Sequence, residues 1–498
     1  MCLSPLTIHP KSVYPNALYD LSSVSVGCKR CDECREQYRL EWQNRLCFEY
    51  SSNAGGCAVF LTFTYNNDSL PFYEDRDYIL ETGTYFRVPC FSREHVLKFL
   101  HTLKRYYIKR FGYVPFKYFF ASEYGKTTKR PHYHALFFLD AFLAHDWRTF
   151  VEVCREIWSQ PSDIEHPLTG IHSLNYGFVF PKMTRPHVVN NRVVSCLYLD
   201  QHGKDRSPLI HDAVGGMSYC SKYVCKDLSY FTPLVNNYLA NALPHKVEVF
   251  KAVLPKHWQS NKLGYSAVSL VMSNVEDSLN NGICNPLTLR KVAIPSYVVN
   301  QLLYVNVFNG RFSPTSGKKL YDRYLSYFGI KYLNTFFHNR VLRCAEKMFV
   351  RFQQIPNVSV VLSRIHVNLL KCSVSDYIPL ALFHCFIKNL KSTLIDDILT
   401  FTRGSLTDLF DLDFMSKYYY LTKSTEYKNT HPSLPTESHC FEMSDFSEVF
   451  KDFTIADSLY CEKCRDVNEG ELNKRLDCHE RIQHHRELYT HGYPLNLC

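Results

Sequence analysis

Two apolar runs limit what this chain can fold into. "FKYFFASE" (residues 116–123) and "PHYHALFFLD" (residues 131–140) are separated only by the turn-rich "YGKTTKR". Both are rich in aromatic residues, and Gly and Lys/Thr residues bound them, which predicts a β-hairpin. In a strand, residues i and i+2 share a face. His132 and His134 therefore project together, while Tyr133, Ala135, Phe137 and Leu139 point into a core. An antiparallel neighbour brings Glu123, at the end of the first run, beside them. Two imidazoles and a carboxylate form a donor set suited to a divalent ion such as Mn²⁺ or Mg²⁺ with open positions. Such an ion can polarise a phosphoryl oxygen. The competing reading of a bare His-x-His is two surface histidines satisfied by solvent.

The flanking sequence supplies more elements. "CAVFLTFTY" (residues 57–65) reads as a strand with Thr62 and Thr64 on one face, placed to support the site. "NNDSLPFYEDRD" reads as loop. "SREHVLKFLHTLKRYYIKRFG" reads as a helix, with Val96, Phe99, Leu100, Leu103 and Tyr107 on its apolar face. Ser92 is its N-cap and Gly112 its stop. Its other side carries Lys98, Lys104, Arg105, Lys109 and Arg110, either a solvated face or one turned to a polyanion. "FLAHDWRTFVEVCREIWSQ" reads as a helix and "NYGFVFPKM" as a short strand. A polar segment, residues 184–212, follows, and "AVGGMSYCSKYVCKDLSYF" is helical after its glycine pair.

That last helix holds a second constellation. Tyr219 and Tyr223 are four apart, so they share a helical face, and Lys222 and Lys226 each follow a tyrosine by three. A phenol is a poor nucleophile at neutral pH because its pKa is near 10. A metal that neutralises a phosphodiester, with an ammonium nearby, helps it attack. Taken alone, Tyr-x-x-x-Tyr is also what an ordinary amphipathic helix carries.

Composition narrows the class. The chain has 498 residues, more than one ordinary core organises, and a formal charge of +9 that permits a polyanionic partner. The N-terminal "MCLSPLTIHPKSVYP" lacks the apolar stretch of a secretory signal. The longest tempting apolar run, "IPLALFHCFI", is too short to span a bilayer, so no membrane is expected. The 20 cysteines are scattered, which fits a reducing compartment.

In order, "FLTFTY", "EYG…RPHYHALFF" and "YCSKYVCK" resemble the three motifs of the HUH endonucleases, the rolling-circle replication initiators. The pattern is most similar to initiators of microviruses, the small single-stranded DNA phages of the gokushovirus-like and Bacteroidetes-associated groups. Those proteins also carry an upstream Cys-x-x-Cys-x-x-Cys, matched by Cys28, Cys31 and Cys34, and a "GFV" strand, matched by Gly177, Phe178 and Val179.

The resemblance implies an α+β fold, a central antiparallel sheet flanked by helices and related to the ferredoxin-like architecture, with a mainly helical or mixed C-terminal region. It implies His132, His134 and Glu123 as ligands of Mg²⁺ or Mn²⁺. Tyr219 and Tyr223 would be nucleophiles, with Lys222 and Lys226 as the basic positions beside them. The enzyme so implied nicks the viral strand of the replicative form at its origin through a 5′-phosphotyrosine and later rejoins the displaced strand into a circle. Its partners are origin DNA, double- and single-stranded, and a host helicase and DNA polymerase. Its setting is the cytoplasm of an infected bacterium.

The expected domains are a Cys-rich segment and helix over 1–56, the HUH endonuclease over 57–231 and a C-terminal region over 232–498. Residues 184–212 look like an insertion before the tyrosine helix. Structural Zn²⁺ is a further expectation. Cys28, Cys31 and Cys34 have ligand spacing, with Cys47 a candidate fourth. Cys461, Cys464, Cys478 and His479 form a second candidate set. Two alternatives stand beside the initiator: another HUH nuclease (a plasmid initiator or a transposase), and a non-catalytic zinc-containing DNA-binding protein. Transposases of that type generally show one catalytic tyrosine.

Overall fold

The computed structural model describes residues 6–8, 24–28, 31–125, 129–164, 167–200, 202–223, 233–313, 317, 319–390, 398, 406–418 and 450–490. The chain divides into two units, one of Arg35–Val298 and one of Met1–Cys34 with Val299–Cys498.

A five-stranded antiparallel sheet organises the first unit. Its strands are β1 (Cys57–Tyr65), β4 (Phe116–Tyr124), β5 (Pro131–Leu139), β6 (Gly177–Phe180) and β9 (His257–Gln259), in the order β9-β4-β5-β1-β6. Two hairpins stand apart from it: β2 (Phe72–Ile79) with β3 (Tyr85–Pro89), and β7 (Lys182–Val189) with β8 (Arg192–Leu199). The expected β4–β5 hairpin is present, with Glu123 opposite His132.

Both faces of the sheet are covered, which is why "ALFFL" is apolar throughout instead of alternating. On one face Leu61, Phe63, Tyr133, Ala135 and Phe137 pack against α2 (Arg93–Phe111) and α3 (Trp147–Trp158). Helix α2 buries the five predicted residues, and its caps are Ser92 and Gly112 as expected. On the other face Ala58, Phe119, Leu136 and Phe138 meet α1 (Asp32–Ser52) and α4 (Ala213–Lys222), through Trp42, Leu46, Met217 and Cys220.

Four expectations change. Residues 72–79, a loop by their sequence, form β2. Residues 184–199, a polar segment by theirs, belong to an ordered β-ribbon. Helix α4 starts before the glycine pair, not after it: Asp212 caps it by accepting from Gly215 N at 3.0 Å. The boundary expected at residue 231 moves, because β9 supplies an outer strand of the sheet from residues 257–259.

In the second unit, α5 (Tyr327–Phe352), α6 (Ile378–Cys385) and the long α7 (Lys451–Thr490) share a core that includes Val341, Met348, Leu382 and Tyr460. A two-stranded hairpin, Tyr304–Phe312 with Lys319–Leu325, accompanies them. Among the described residues no helix is long and apolar enough to cross a membrane. The tempting apolar run is α6, buried in this core.

Candidate metal and tyrosine site

Register builds the site. One row across the sheet reads His257, Ala121, His134, Thr62 and Phe180; the next reads Glu123, His132, Thr64 and Phe178. Paired residues in an antiparallel sheet share a face. Glu123, His132, His134, Thr62 and Thr64 therefore converge on one side. Tyr133, between the histidines, points the other way. Its hydroxyl lies 2.9 Å from that of Tyr65 and accepts from Ser92 N at 3.1 Å, tying the histidine strand to the start of α2.

Glu123 Oε2 lies 2.7 Å from His134 Nε2 and 3.4 Å from His132 Nε2. Both opposite ring nitrogens have partners: His134 Nδ1 is 3.0 Å from Thr62 Oγ1, and His132 Nδ1 is 3.3 Å from the Arg130 carbonyl. Such outer contacts fix imidazole orientation at metal centres. The carbonyl can only accept, so that contact places the proton on His132 Nδ1 and leaves Nε2 a lone pair facing Glu123. Glu123 and His134 are 5% and 8% exposed. Two imidazoles and a carboxylate converging with oriented rings fit a divalent ion that keeps open positions.

The tyrosines come to the same place. The Tyr223 ring stacks on His134 at 3.8 Å between centroids, and Tyr219 meets Tyr223 edge-on at 5.2 Å. Phe60 lies 5.5 Å from His134, 5.6 Å from Tyr219 and 6.1 Å from Tyr223. Tyr223 is 4% exposed and Tyr219 49%. Burial, the Tyr219 hydroxyl and the Glu123 charge hold the Tyr223 phenol well above its ordinary value. Lys222 Nζ lies 5.8 Å from the Tyr219 ring centroid. Lys226 falls outside the described residues.

Helix α4 approaches closely because its glycines allow it. A Cβ on Gly216 would sit 2.6 Å from Ile210 Cγ2. Sequence reading missed Phe60, Tyr65 and the Arg130 carbonyl. The two-residue period of β1, which places Phe60 beside Thr62 and Thr64, was the available signal for the first.

The cysteine sets fare differently. Cys28, Cys31 and Cys34 bring three sulfurs within 4.8 Å of one another, and Cys31 N–H donates to Cys28 Sγ at 3.2 Å. Cys47 is not a fourth member: it is fully buried in the core with Trp42 and Leu46. The C-terminal set does not form one site. Cys461, Cys464, Cys478 and His479 lie on the single helix α7, where fourteen residues separate Cys464 from Cys478, about 21 Å at the α-helical rise. Cys464 instead meets Arg351, and Cys461 Sγ lies 3.9 Å from His384 Nδ1.

Residues 58–228, which contain both constellations, match the family model of the replication-associated protein ORF2. The class to which this part of the chain is similar is thus the replication-associated proteins. Over 153 residues the chain is 32% identical to the Replication-associated protein ORF2 of Spiroplasma virus 4. That alignment covers 28% of this chain, which spans less than half (44%) of the relative's length. No solved structure matches the chain.

Proposed function

We propose that this protein is a rolling-circle replication initiator of the HUH type, serving a microvirus-like single-stranded DNA phage. The observation that carries the reading is the meeting of Glu123, His132 and His134 with Tyr219 and Tyr223 on one sheet face. Glu123, His132 and His134 would hold Mg²⁺ or Mn²⁺, which when bound supplies positive charge to the scissile phosphate. Tyr219 is the tyrosine open to solvent, so it is the one a DNA strand reaches first. Its oxygen attacks phosphorus, the bond to the 3′ oxygen breaks, and a phosphotyrosine ester holds the 5′ end. The phenol proton is lost to solvent, and the departing 3′ oxygen takes one up. Lys222, beside the ring, offsets negative charge on the oxygen.

The free 3′-OH primes a host polymerase behind a host helicase. Tyr223, held in reserve under Phe60, serves the second cleavage, and the first ester is then attacked by the new 3′-OH to close the circle. The cytoplasm of an infected bacterium is the setting.

The test mixes the full chain with Mn²⁺ and the supercoiled replicative form of the genome that encodes it. A covalent protein–DNA adduct on a denaturing gel, lost in the Tyr219→Phe/Tyr223→Phe double variant and in His132→Ala, is the expected result. No adduct on that DNA, or on its single strand, would favour a non-catalytic DNA-binding protein.

The Cys28, Cys31 and Cys34 cluster is proposed to hold a structural Zn²⁺, on the strength of its three converging sulfurs and the backbone N–H aimed at Cys28. Elemental analysis should find zinc in the purified chain and little in Cys28→Ser/Cys31→Ser; equal zinc in both contradicts the assignment.

A further inference from the structure

The β7–β8 ribbon is planted beside the site. Strand β6 pairs with Thr62–Tyr65 of β1 and ends with Phe180 opposite Thr62, itself opposite His134. The chain then leaves the sheet, forms the ribbon and returns to the same edge of β1. There Pro208 O accepts from Phe60 N at 2.8 Å, and Ile210 N donates to Ala58 O at 2.9 Å. Two residues later it enters the tyrosine helix through the Asp212 cap. Both ends of the ribbon are thus fixed to the strand that supports His134.

The ribbon has two unlike faces. Inward, Val193 N donates to Thr149 Oγ1 at 3.0 Å, and Tyr198 stacks on Trp147 at 5.6 Å, seating it on α3. Outward lie Lys182, Arg185, His187, Arg192 and Val194, all exposed. Arg192 Nε lies 3.6 Å from Asp146 Oδ2, and the arginine side chain stays 60% exposed. Residues 182–199 contain no carboxylate. Asn190 and Asn191, both at positive φ (48° and 56°), form the tight tip.

We infer that this ribbon docks the protein on double-stranded DNA next to the phosphodiester to be cut. The inference rests on the nickase reading and deepens it. A two-stranded ribbon fits the major groove of a duplex, about 12 Å wide, and its arginines and tip asparagines suit guanine and adenine edges. Single strands are instead gripped by stacking on exposed aromatic rings. The outward face has no Phe, Tyr or Trp, since Tyr198, the ribbon's single residue of that kind, faces α3. Because the ribbon's feet share β1 with the site, a duplex held there is registered to Tyr219.

The test uses the full chain, a 30-base-pair random duplex and single-stranded fragments tiling the encoding genome. Arg185→Gln/Arg192→Gln should weaken duplex binding at least tenfold. It should also reduce the slope of log K against log salt by about 2, roughly one per lost phosphate contact. Arg185→Lys/Arg192→Lys, which keeps the charge, should restore the slope, so a folding defect is distinguishable from lost contacts. The adduct on single strands should stay within about twofold of wild type, since neither arginine touches the site. Unchanged duplex affinity and slope in the glutamine variant would overturn the ribbon assignment while leaving the nickase reading intact. A variant that loses duplex binding when even the wild type forms no adduct would sink the nickase reading and keep the ribbon as a DNA-docking element.

Discussion

The ring of Tyr223 lies against the imidazole of His134, 3.8 Å between centroids and 25° between planes. Through that contact the tyrosine helix is seated on the metal-ligand face. Phenylalanine keeps the stacking and removes only the hydroxyl. Tyr223→Phe should therefore fold normally and still form the first adduct, while circular single-stranded product disappears. A two-dimensional gel resolving circles from linear strands reads this out, and normal circle yield would contradict the reserve role of Tyr223.

Thr62 reaches the site only through His134, as its Oγ1 lies 3.0 Å from Nδ1. Thr62→Val keeps the strand and its shape but drops that bond. Loss of such an outer contact typically costs about 10–100-fold in metal affinity. Calorimetric titration with Mn²⁺ should show weakening of that order with an unchanged melting temperature. Equal Mn²⁺ affinity would mean that Thr62 does not orient the ligand.

Gly177 opens β6 against β1, where a Cβ would stand 2.2 Å from Thr64 O and 2.6 Å from Asn66 N. These are backbone atoms with no side chain to swing away. Gly177→Ala should destabilise the first unit by about 1–3 kcal/mol, the usual cost of overpacking. Chemical denaturation checks it; a midpoint equal to wild type would show that β6 shifts freely.

In the second unit, His384 Nδ1 and Lys388 Nζ both reach Asp457, the lysine at 2.9 Å, linking α6 and its following turn to α7. Burial opposes a charge on His384, but hydrogen bonds with Asp457 and Cys461 outweigh it and hold the imidazole up to about 9 from 6.5. Burial also opposes a charge on Asp457, and His384 and Lys388 hold its carboxyl below the usual range. The raised histidine stabilises fully below its unfolded pKa of about 6.5 and loses that contribution as pH rises through about 9. The lowered aspartate stabilises above about pH 4 and loses its share below. Melting of this unit should be highest between about pH 4 and 6.5 and decline toward pH 9, by up to about 3 kcal/mol. His384→Gln should flatten the alkaline limb; an unchanged limb would assign the pH dependence elsewhere.

Much of the site is written in local pattern. The period of two in "PHYHALFF" and the hairpin turn before it fix which residues face Glu123, so the ligand set is readable before any long-range contact is known. The same holds for α2, whose period and caps are local. The β7–β8 ribbon was less legible because Pro186 and Arg185, the latter at φ 52°, interrupt its alternation, and shifts of register near Ser195 break it again. Strand β9 is three residues long and owes its conformation to the edge of β4, a contact across more than 130 residues of chain. The C-terminal cysteines mislead for a related reason. Their spacing suggests a ligand set only while the chain between them is free to fold back, and a continuous helix prevents that.

The central claim is that Tyr219 is the nucleophile presented to DNA beside Glu123, His132 and His134. The most direct measurement is mass spectrometry of the adduct after nuclease and protease digestion, locating the nucleotide on the peptide that contains both tyrosines. The account predicts a 5′-nucleotide on Tyr219 after a single round on single-stranded DNA, formed only with a divalent ion present. A nucleotide first found on a residue outside α4 and Tyr223, or an adduct that persists in His132→Ala/His134→Ala, would contradict it.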